Sequence, residues 1–404
     1  RVLAGGVATW SAPACGVPSW GVAVVRVLAG GVALVVALIG TKYLIDLLTR
    51  LNLGQPIHED APEGHTVKAG TPTMGGIAIG AWSHRFRDKV GERIFVEGNA
   101  AAALGCVYGG ATVCAWYPIT PSSSVAEAFE KYCQKFRVDP ATGERHYAIV
   151  QAEDEIASIG MVTGAGWNGA RAFTATSGPG VSLMTEFIGL AYFAEIPVTI
   201  INVQRGGPST GMPTRTQQGD LMECAYASHG DTKHVLLLPE DPKELFEFSA
   251  QSFDLAERLQ TPVFVMLDLD IGMNDWMCPV LQWDDQYRPD RGKVLDAEQI
   301  AGLDKFHRYL DKDGDGIPYR TLPGVHPKGA YFTRGSGHTQ YGGYTEDAAE
   351  YQIVLDRLKR KHDSAKALVP KPVISRRGGA RGPSDAAIVS LGSCDGAVNE
   401  ALDI

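Results

Sequence analysis

Two kinds of apolar segment alternate between about residues 93 and 269, and this alternation constrains the fold more than any other feature of the chain. Short runs rich in Val and Ile, such as residues 196–203, have the length and composition of buried strands. Longer segments, such as residues 122–136, carry apolar residues at helical spacing. Strands that alternate with helices predict an α/β fold in which helices cover both faces of a mostly parallel sheet. The other predicted strands are residues 112–116, 147–150, 170–176, 235–238 and 262–267, and the other predicted helices are residues 153–165, 181–193 and 242–258.

Composition divides the rest of the chain around this domain, which we assign to residues 89–275. Residues 276–369 are rich in Asp, Gly, Pro and aromatic residues and lack a clear period until a charged helix at their end. We interpret them as an irregular insertion. Residues 370–383 have the composition of a linker. Residues 384–404 are predicted to begin a second, truncated α/β domain, with a buried strand at residues 386–391 followed by a helix.

The N-terminal region differs in kind from the rest. Residues 27–39 are apolar throughout, and the apolar run extends across Arg26 back to residue 21. Its length is near the roughly 20 residues that span a bilayer, and the Lys and Arg that follow would place that side in the cytoplasm. The sequence therefore predicts an apolar, transmembrane-like helical segment within residues 1–82, with membrane association through residues 21–50. A buried helix is the alternative.

Charge and cysteine content exclude other classes of function. A formal net charge of −9 argues against nucleic acid as a partner. The cysteines are scattered and form no CxxC or Cys/His cluster, so we predict no zinc site, no iron–sulfur cluster and no other metal site in this chain. Scattered thiols are typical of a reducing compartment, so we expect the α/β part in the cytoplasm.

Four polar segments follow predicted strands, which is where open α/β sheets bind ligands. The last of them carries backbone N–H groups, hydroxyls and a guanidinium, all of which suit an anion. A surface loop with ordinary turn chemistry is the alternative for that segment. The four are WYPITPSSS at residues 116–124, QAEDE at 151–155, TSGPG at 176–180 and QRGGPSTGMPTRTQQGD at 204–220.

In this order the four segments resemble those of the α subunit of 2-oxoacid:ferredoxin oxidoreductases, most closely the 2-oxoglutarate branch, over about residues 89–404. The resemblance implies a thiamine diphosphate enzyme in which this subunit supplies the pyrimidine-binding domain. It also implies oxidative decarboxylation of 2-oxoglutarate with coenzyme A and transfer of the electrons to ferredoxin. Pyruvate or a branched 2-oxoacid is the alternative substrate.

Glu155 is the predicted catalytic and cofactor-binding carboxylate. Thiamine needs a poorly solvated carboxylate on its aminopyrimidine ring, which favours the tautomer that deprotonates the thiazolium carbon. The spacing from Glu155 to Gly164 and Ala165 is similar to the family's helix pattern, more so than the spacing from Glu153. The alternative is an acidic triplet that only favours a helix N-terminus.

The resemblance also implies residues that bind the substrate and the cofactor. Arg205 has the planar fork that binds a carboxylate through two hydrogen bonds, and Thr214 is similar to the residue that joins this Arg in the family. Two recognised carboxylates would select a dicarboxylic 2-oxoacid. The predicted substrate-binding residues are Thr120, Arg205 and Thr214, and the predicted cofactor-binding residues are Tyr117, Pro118, Glu155, Ser177 and Gly178.

The sequence lacks the motif for the diphosphate half of the site. Thiamine enzymes hold the diphosphate and Mg²⁺ with a GDG motif and a later Asn, whereas here no Asn occurs between the GDG at residues 314–316 and Asn399. We expect a partner β subunit to supply the diphosphate pocket, the Mg²⁺ and an iron–sulfur cluster, and this chain to be inactive alone. Residues 311–316 also resemble the opening of a calcium loop, but Leu322 stands where a Glu is needed. A turn capped by its own Asp residues is the favoured interpretation.

Residues 51–79, which include GTPTMGG, resemble the N-terminal part of phospho-N-acetylmuramoyl-pentapeptide transferase, a membrane enzyme of cell-wall synthesis. The catalytic acidic residues of that family lie on later loops, which this sequence does not contain, so we expect no transferase activity. We interpret the chain as a fusion of two unrelated proteins at about residues 81–87. A membrane-tethered non-catalytic protein and a truncated fusion product are the alternatives.

Overall fold

The computed structural model describes residues 91–374 and 387–403. The transferase-like region 1–82, with its apolar segment at residues 21–50, lies outside the described residues, and so does the predicted fusion point at residues 81–87. Most of the predicted linker lies outside them as well. Within the described ranges, no helix is both long and apolar enough to cross a membrane.

Strands and helices alternate through the described α/β region. The strands are β1 (Arg93–Glu97), β2 (Val113–Trp116), β3 (Ala148–Gln151), β4 (Ala172–Thr176), β5 (Val198–Gln204), β6 (Val235–Leu237), β7 (Pro262–Asp268) and β8 (Asp275–Pro279). The helices are α1 (Gly98–Tyr108), α2 (Ser123–Phe136), α3 (Glu155–Trp167), α4 (Gly178–Phe193), α5 (Leu221–Ala225), α6 (Pro242–Leu259), α7 (Leu269–Met273), α8 (Ala297–Ala301), α9 (Ala348–Ala365) and α10 (Cys394–Asp403).

Six of these strands form one sheet in the order β3-β2-β4-β5-β7-β6, and every neighbouring pair in it is parallel. Side chains of a strand alternate between the two faces of its sheet. Accordingly, Ile201 and Val203 of β5 join one buried apolar cluster, whereas Val198 and Ile200 join another. Because both faces are covered, β4, β5 and β7 are buried along their whole length. The prediction of an α/β fold with a mostly parallel sheet is confirmed.

A separate antiparallel pair joins the two ends of this region. Arg93 of β1 lies opposite Pro279 of β8, and Glu97 lies opposite Asp275. This pair is not predictable from the sequence, because its two strands are far apart in the chain and neither carries a strong apolar pattern of its own. The pair brings the start of α1 close to the end of the last parallel strand, since α1 follows β1 directly and α7 lies between β7 and β8.

Residues 280–345 contain little regular structure and are fastened to the sheet domain by buried polar contacts. The Arg171 guanidinium, at the start of the β4 region, donates to Asp254 at 2.5 Å and to Glu257 at 2.9 Å. The Tyr287 hydroxyl, in the irregular segment, donates to the same Asp254 carboxylate at 2.9 Å. The described residues in this segment therefore pack on the domain through a shared ion-pair cluster.

The turn at residues 311–316 has the contacts of a self-capped loop. The Asp311 carboxylate accepts the backbone N–H of Gly314 at 2.8 Å and that of Gly316 at 2.9 Å. Asp313 and Asp315 both pair with Lys293. These contacts match the turn interpretation made from the sequence.

The predicted buried strand at residues 386–391 is wrong over its described part. Residues 387–391 form no strand, and Ile388 and Val389 are 65% and 85% exposed. An apolar run becomes a buried strand only when neighbouring strands pair with it, and no described strand does so here. The helix predicted after it is present as α10.

Candidate functional site

The sheet topology brings the four polar segments to one edge of the sheet. β2 pairs with β3 on one side and with β4 on the other, and β4 pairs with β5. Because these strands are parallel, their carboxyl ends lie side by side, and each of the four segments follows one of these ends. The candidate site is therefore built by four consecutive neighbours in the sheet.

Glu155 is the first residue of α3, and the local sequence buries it. Asp154 adopts an extended backbone and caps the helix, with its carboxylate accepting the Ala157 N–H at 2.6 Å. This cap turns the chain so that Glu155 is 6% exposed, whereas Glu153 is exposed. Within the described residues, no group donates a hydrogen bond to the Glu155 carboxylate. Of the two candidate glutamates, burial favours Glu155.

The TSGPG turn lies against Glu155 because it lacks side chains at the point of contact. A Cβ atom at Gly180 would overlap the Thr176 hydroxyl and would lie 2.9 Å from Cγ of Glu155. Ser177, between these two residues, is fully buried, and its hydroxyl has no hydrogen-bond partner among the described residues. Gly178 begins α4. The structure thus brings three predicted site residues, Glu155, Ser177 and Gly178, to one turn.

Arg205 joins the loop after β5 to the loop after β2. The Arg205 residue is 7% exposed, and its Nη1 donates to the Thr120 carbonyl oxygen at 2.6 Å. Its Nε is buried without a partner in the described part of the chain. Thr120 accepts this hydrogen bond with its backbone carbonyl. The Thr120 side-chain hydroxyl, through which substrate binding was predicted, takes no part in the contact, and the residue is exposed.

The structure does not bring Thr214 into contact with Arg205. Thr214 is exposed, and both its carbonyl and its hydroxyl accept hydrogen bonds from Nη1 of Arg215, at 2.8 and 3.4 Å. The loop folds back on itself, because Gly206 and Met212 form an antiparallel bridge. Tyr117 and Pro118 are also exposed in the loop after β2. No described contact joins these three predicted residues to Glu155.

Two residues that the sequence analysis missed hold the polar loops in place. Asn99, buried in α1, donates to the Pro121 carbonyl at 2.8 Å and to the Ser124 hydroxyl at 2.8 Å. Asp220, at the end of the loop after β5, lies against Gly178. An Asn in an Ala-rich segment carries no functional signal, whereas the Asp that ends QRGGPSTGMPTRTQQGD lay within the segment already singled out.

The buried polar groups of this edge fit an aminopyrimidine ring. Buried polar side-chain atoms without a partner are rare in folded proteins, yet the Ser177 hydroxyl is in that condition here. The Glu155 residue is 6% exposed, and its carboxylate accepts no hydrogen bond from the described residues. A carboxylate accepts from a ring amine or ring N–H, and a hydroxyl can donate or accept. No group of three or more potential metal ligands occurs among the described residues.

Comparisons with known proteins agree with a thiamine-binding site at this edge of the sheet. Residues 104–282 match the family model described as pyruvate flavodoxin/ferredoxin oxidoreductase, thiamine diP-bdg. A 2-oxoacid:ferredoxin oxidoreductase α subunit of Sulfurisphaera tokodaii is 35% identical over 283 residues, which are 69% of this chain and 44% of that protein. The 2-oxoglutarate synthase subunit KorA of Methanocaldococcus jannaschii is 46% identical over 178 residues, which are 44% of this chain and 46% of that protein.

A solved structure is similar as well, and a second family model matches a different region. The 2-oxoglutarate:ferredoxin oxidoreductase from Magnetococcus marinus superposes with a TM-score of 0.69 at 32% identity, covering 77% of this chain and 51% of that chain. This chain thus spans about half the length of these relatives. Residues 68–79, outside the described residues, match the model described as phospho-N-acetylmuramoyl-pentapeptide-transferase signature 1. Residues 104–282 thus contain the domain that the first family model describes, and the described α/β region is similar to 2-oxoacid:ferredoxin oxidoreductase α subunits.

Proposed function

We propose that this chain supplies the pyrimidine-binding half of a thiamine-dependent 2-oxoacid:ferredoxin oxidoreductase. Its reaction is the oxidative decarboxylation of 2-oxoglutarate with coenzyme A, with ferredoxin as the electron acceptor. A β subunit completes the site with the diphosphate pocket, Mg²⁺ and an iron–sulfur cluster. The observation that carries the proposal is the Glu155 carboxylate, buried beside the TSGPG turn with no partner among the described residues.

In this proposal Glu155 binds the aminopyrimidine and exchanges a proton with it. Thiamine diphosphate, when bound, supplies the nucleophilic carbon and accepts the electron pair released by decarboxylation. Burial of Glu155 at the first turn of α3 keeps water away from the carboxylate, so that it would bind the ring with little competition from solvent. Ser177, whose buried hydroxyl has no described partner, and Gly178, at the start of α4, would line the pyrimidine site.

Arg205 supports a substrate that carries a carboxylate. It is a permanent cation, 7% exposed, with one guanidinium nitrogen engaged by Thr120 and Nε without a described partner. Arg205 forms no direct ion pair among the described residues, although the Asp220 carboxylate is close enough to interact with it. A buried cation with an unpaired donor binds an anionic ligand with little competition from water. The Magnetococcus marinus relative has 2-oxoglutarate, coenzyme A and succinyl-CoA bound. We therefore favour 2-oxoglutarate over pyruvate, with Arg205 selecting the dicarboxylate. A part for Thr214 in this selection requires the loop to rearrange, because Thr214 accepts hydrogen bonds from Arg215 here.

Substrate profiling of the assembled enzyme tests this proposal. The full chain, purified together with a β subunit, is assayed for 2-oxoacid-dependent reduction of a viologen dye. We expect Arg205→Ala to raise the KM for 2-oxoglutarate by about tenfold or more, the effect of losing one charged hydrogen bond, with a smaller change for pyruvate. Equal losses for both substrates would remove Arg205 as the selector. Thiamine-dependent turnover by the chain without a β subunit would contradict the shared site.

A further inference from the structure

Asp220 ends the loop after β5, and its carboxylate lies directly against the TSGPG turn. A Cβ atom at Gly178 would lie 2.7 and 2.8 Å from the two carboxylate oxygens of Asp220. Real Cβ atoms do not approach other heavy atoms so closely, so a glycine at this position lets the loop end rest on the start of α4. The contact joins two of the four segments at the sheet edge.

The same residue is tied back to the strand that carries Arg205. Asn202 of β5, which is fully buried, donates to the Asp220 carboxylate at 3.1 Å. The Asp220 N–H donates to the side-chain carbonyl of Gln204, also at 3.1 Å. The Arg205 cation lies near enough to stabilise the Asp220 carboxylate. Both ends of the loop over residues 205–219 are therefore held at β5.

Asp220 is half-buried, so its contacts are worth more than those of a surface carboxylate. Burial raises the pKa of Asp220, although the Asn202 hydrogen bond and the Arg205 cation act in the opposite direction. Glu223, one turn further on, is different: it accepts a hydrogen bond from the Ser182 hydroxyl at an exposed site. Among the described residues no hydrogen bond joins it to the loop, and its charge reaches Asp220 only through space. Glu223 is thus a matched acidic control on the same short helix.

We propose that Asp220 is a positioning residue of the candidate site. It clamps the loop over residues 205–219 between β5 and Gly178, so that Arg205 keeps a fixed place relative to Ser177 and Glu155. The inference rests on the proposed function for what the loop binds, but the clamp itself is a property of this chain. Gln218, near the end of the loop, also donates to Asp268 of β7 at 2.9 Å, so loss of the clamp would loosen the loop without freeing it from the sheet. The internal bridge between Gly206 and Met212 does not itself join the loop to the sheet.

Two measurements on the full chain in its assembled complex test the clamp. The first is limited trypsin cleavage after Arg215, an exposed residue of the loop, because cleavage reports the fraction of time for which a segment is open. We expect Asp220→Ala to accelerate this cleavage about tenfold, as the loss of one charged hydrogen bond allows. Asp220→Asn keeps an acceptor for Asn202 and should restore slow cleavage, and Glu223→Gln should match the wild type.

The second measurement separates positioning from a general loss of structure. In Asp220→Ala the KM for 2-oxoglutarate should rise about tenfold while kcat changes by less than about threefold. The reason is that the variant loses binding energy that is equal in the ground state and the transition state, whereas the chemical step is unchanged. Gly178→Ala, which displaces the carboxylate, should give the same cleavage rate as Asp220→Ala, and the double variant should be no faster.

The outcomes distinguish the two proposals. Wild-type cleavage after Arg215 in folded Asp220→Ala and Gly178→Ala complexes would overturn the clamp. Fast cleavage with an unchanged KM would overturn the positioning of Arg205. Fast cleavage in a complex whose wild type turns over no 2-oxoacid would leave the clamp standing and refute the proposed function instead.

Discussion

At the residue scale, two carboxylates of one acidic triplet lie in different environments. Glu155 is 6% exposed beside Gly180, and Glu153 is exposed. The sequence favoured Glu155 through a family resemblance, and its burial supplies an independent physical reason. Its role, like those of the other predicted site residues, stays a prediction until variants are assayed.

Replacement of Glu155 by Gln should abolish most of the activity. The amide keeps the size of the side chain but cannot exchange the proton, so we expect a loss of about 10²- to 10⁴-fold in kcat with thiamine diphosphate still bound. The measurement is 2-oxoglutarate-dependent viologen reduction by the assembled complex, with bound thiamine quantified on the same sample. Glu153→Gln is the control and should stay near the wild type. Normal turnover by Glu155→Gln would move the role to another carboxylate.

At the element scale, the close approach of the TSGPG turn to α3 can be tested by replacing two glycines with alanine, one at the contact and one away from it. At Gly180 a Cβ would overlap the Thr176 hydroxyl and press on Glu155, so Gly180→Ala should cost about 1–3 kcal/mol of stability and most of the activity. Gly164, within α3, has nothing within 4 Å of its Cβ position. Gly164→Ala should stabilise the protein by about 0.5–1 kcal/mol. Chemical denaturation of the full chain measures both, and equal effects would contradict the packing argument.

The elements differ in how far the sequence could predict them. The strands β5 and β7 are continuous apolar runs between turn residues, so local composition was enough for them. The β1–β8 pair and the Asn99 contacts depend on partners far along the chain, which periodicity cannot show. The apolar residues at 387–391 had the local pattern of a strand without the neighbours that make one. Sequence thus predicted the segments of the site better than the contacts between them.

At the scale of the whole molecule, a buried ion cluster fastens α9 to the sheet domain. Glu195, directly after the α4 region, is 1% exposed and accepts from Arg357 at 2.5 and 2.9 Å and from Lys361 at 2.9 Å. Its desolvation acts to raise its pKa, but the two cations outweigh this and hold the pKa well below its usual range. The cluster explains why an irregular segment ends in an ordered helix.

Removal of the anion from this cluster should destabilise the protein strongly. Glu195→Gln leaves two buried cations without a countercharge, for which we expect a cost of about 3–5 kcal/mol in the free energy of unfolding. Asp363→Asn, which breaks the exposed pair with Lys366 at the end of the same helix, should change it by less than about 0.5 kcal/mol. Denaturant titration of the full-length variants compares them. A small effect of Glu195→Gln would mean that solvent reaches the cluster.

His234 should make the stability of the molecule depend on pH. Its ring is 5% exposed, Nε2 lies 2.9 Å from the Ala227 carbonyl oxygen, and Nδ1 has no partner among the described residues. Burial lowers the pKa of His234 to about 4. The unfolded chain, with an ordinary histidine pKa of about 6.5, therefore binds this proton first as the pH falls. Stability is lost between about pH 6.5 and 4, by about 2 kcal/mol at about pH 5.

Thermal unfolding of the full chain at about pH 7.5 and about pH 5 measures this loss. His234→Gln removes the titrating group and should show a smaller decrease than the wild type over the same interval. His146, which is exposed, provides the control, since His146→Gln should keep the wild-type decrease. An equal pH response in the wild type and His234→Gln would show that the ring is already solvated or protonated in the folded protein. If the decrease in thermal stability at low pH is smaller in His234→Gln and unchanged in His146→Gln, the difference from the wild type is due to the buried His234 imidazole between α5 and β6.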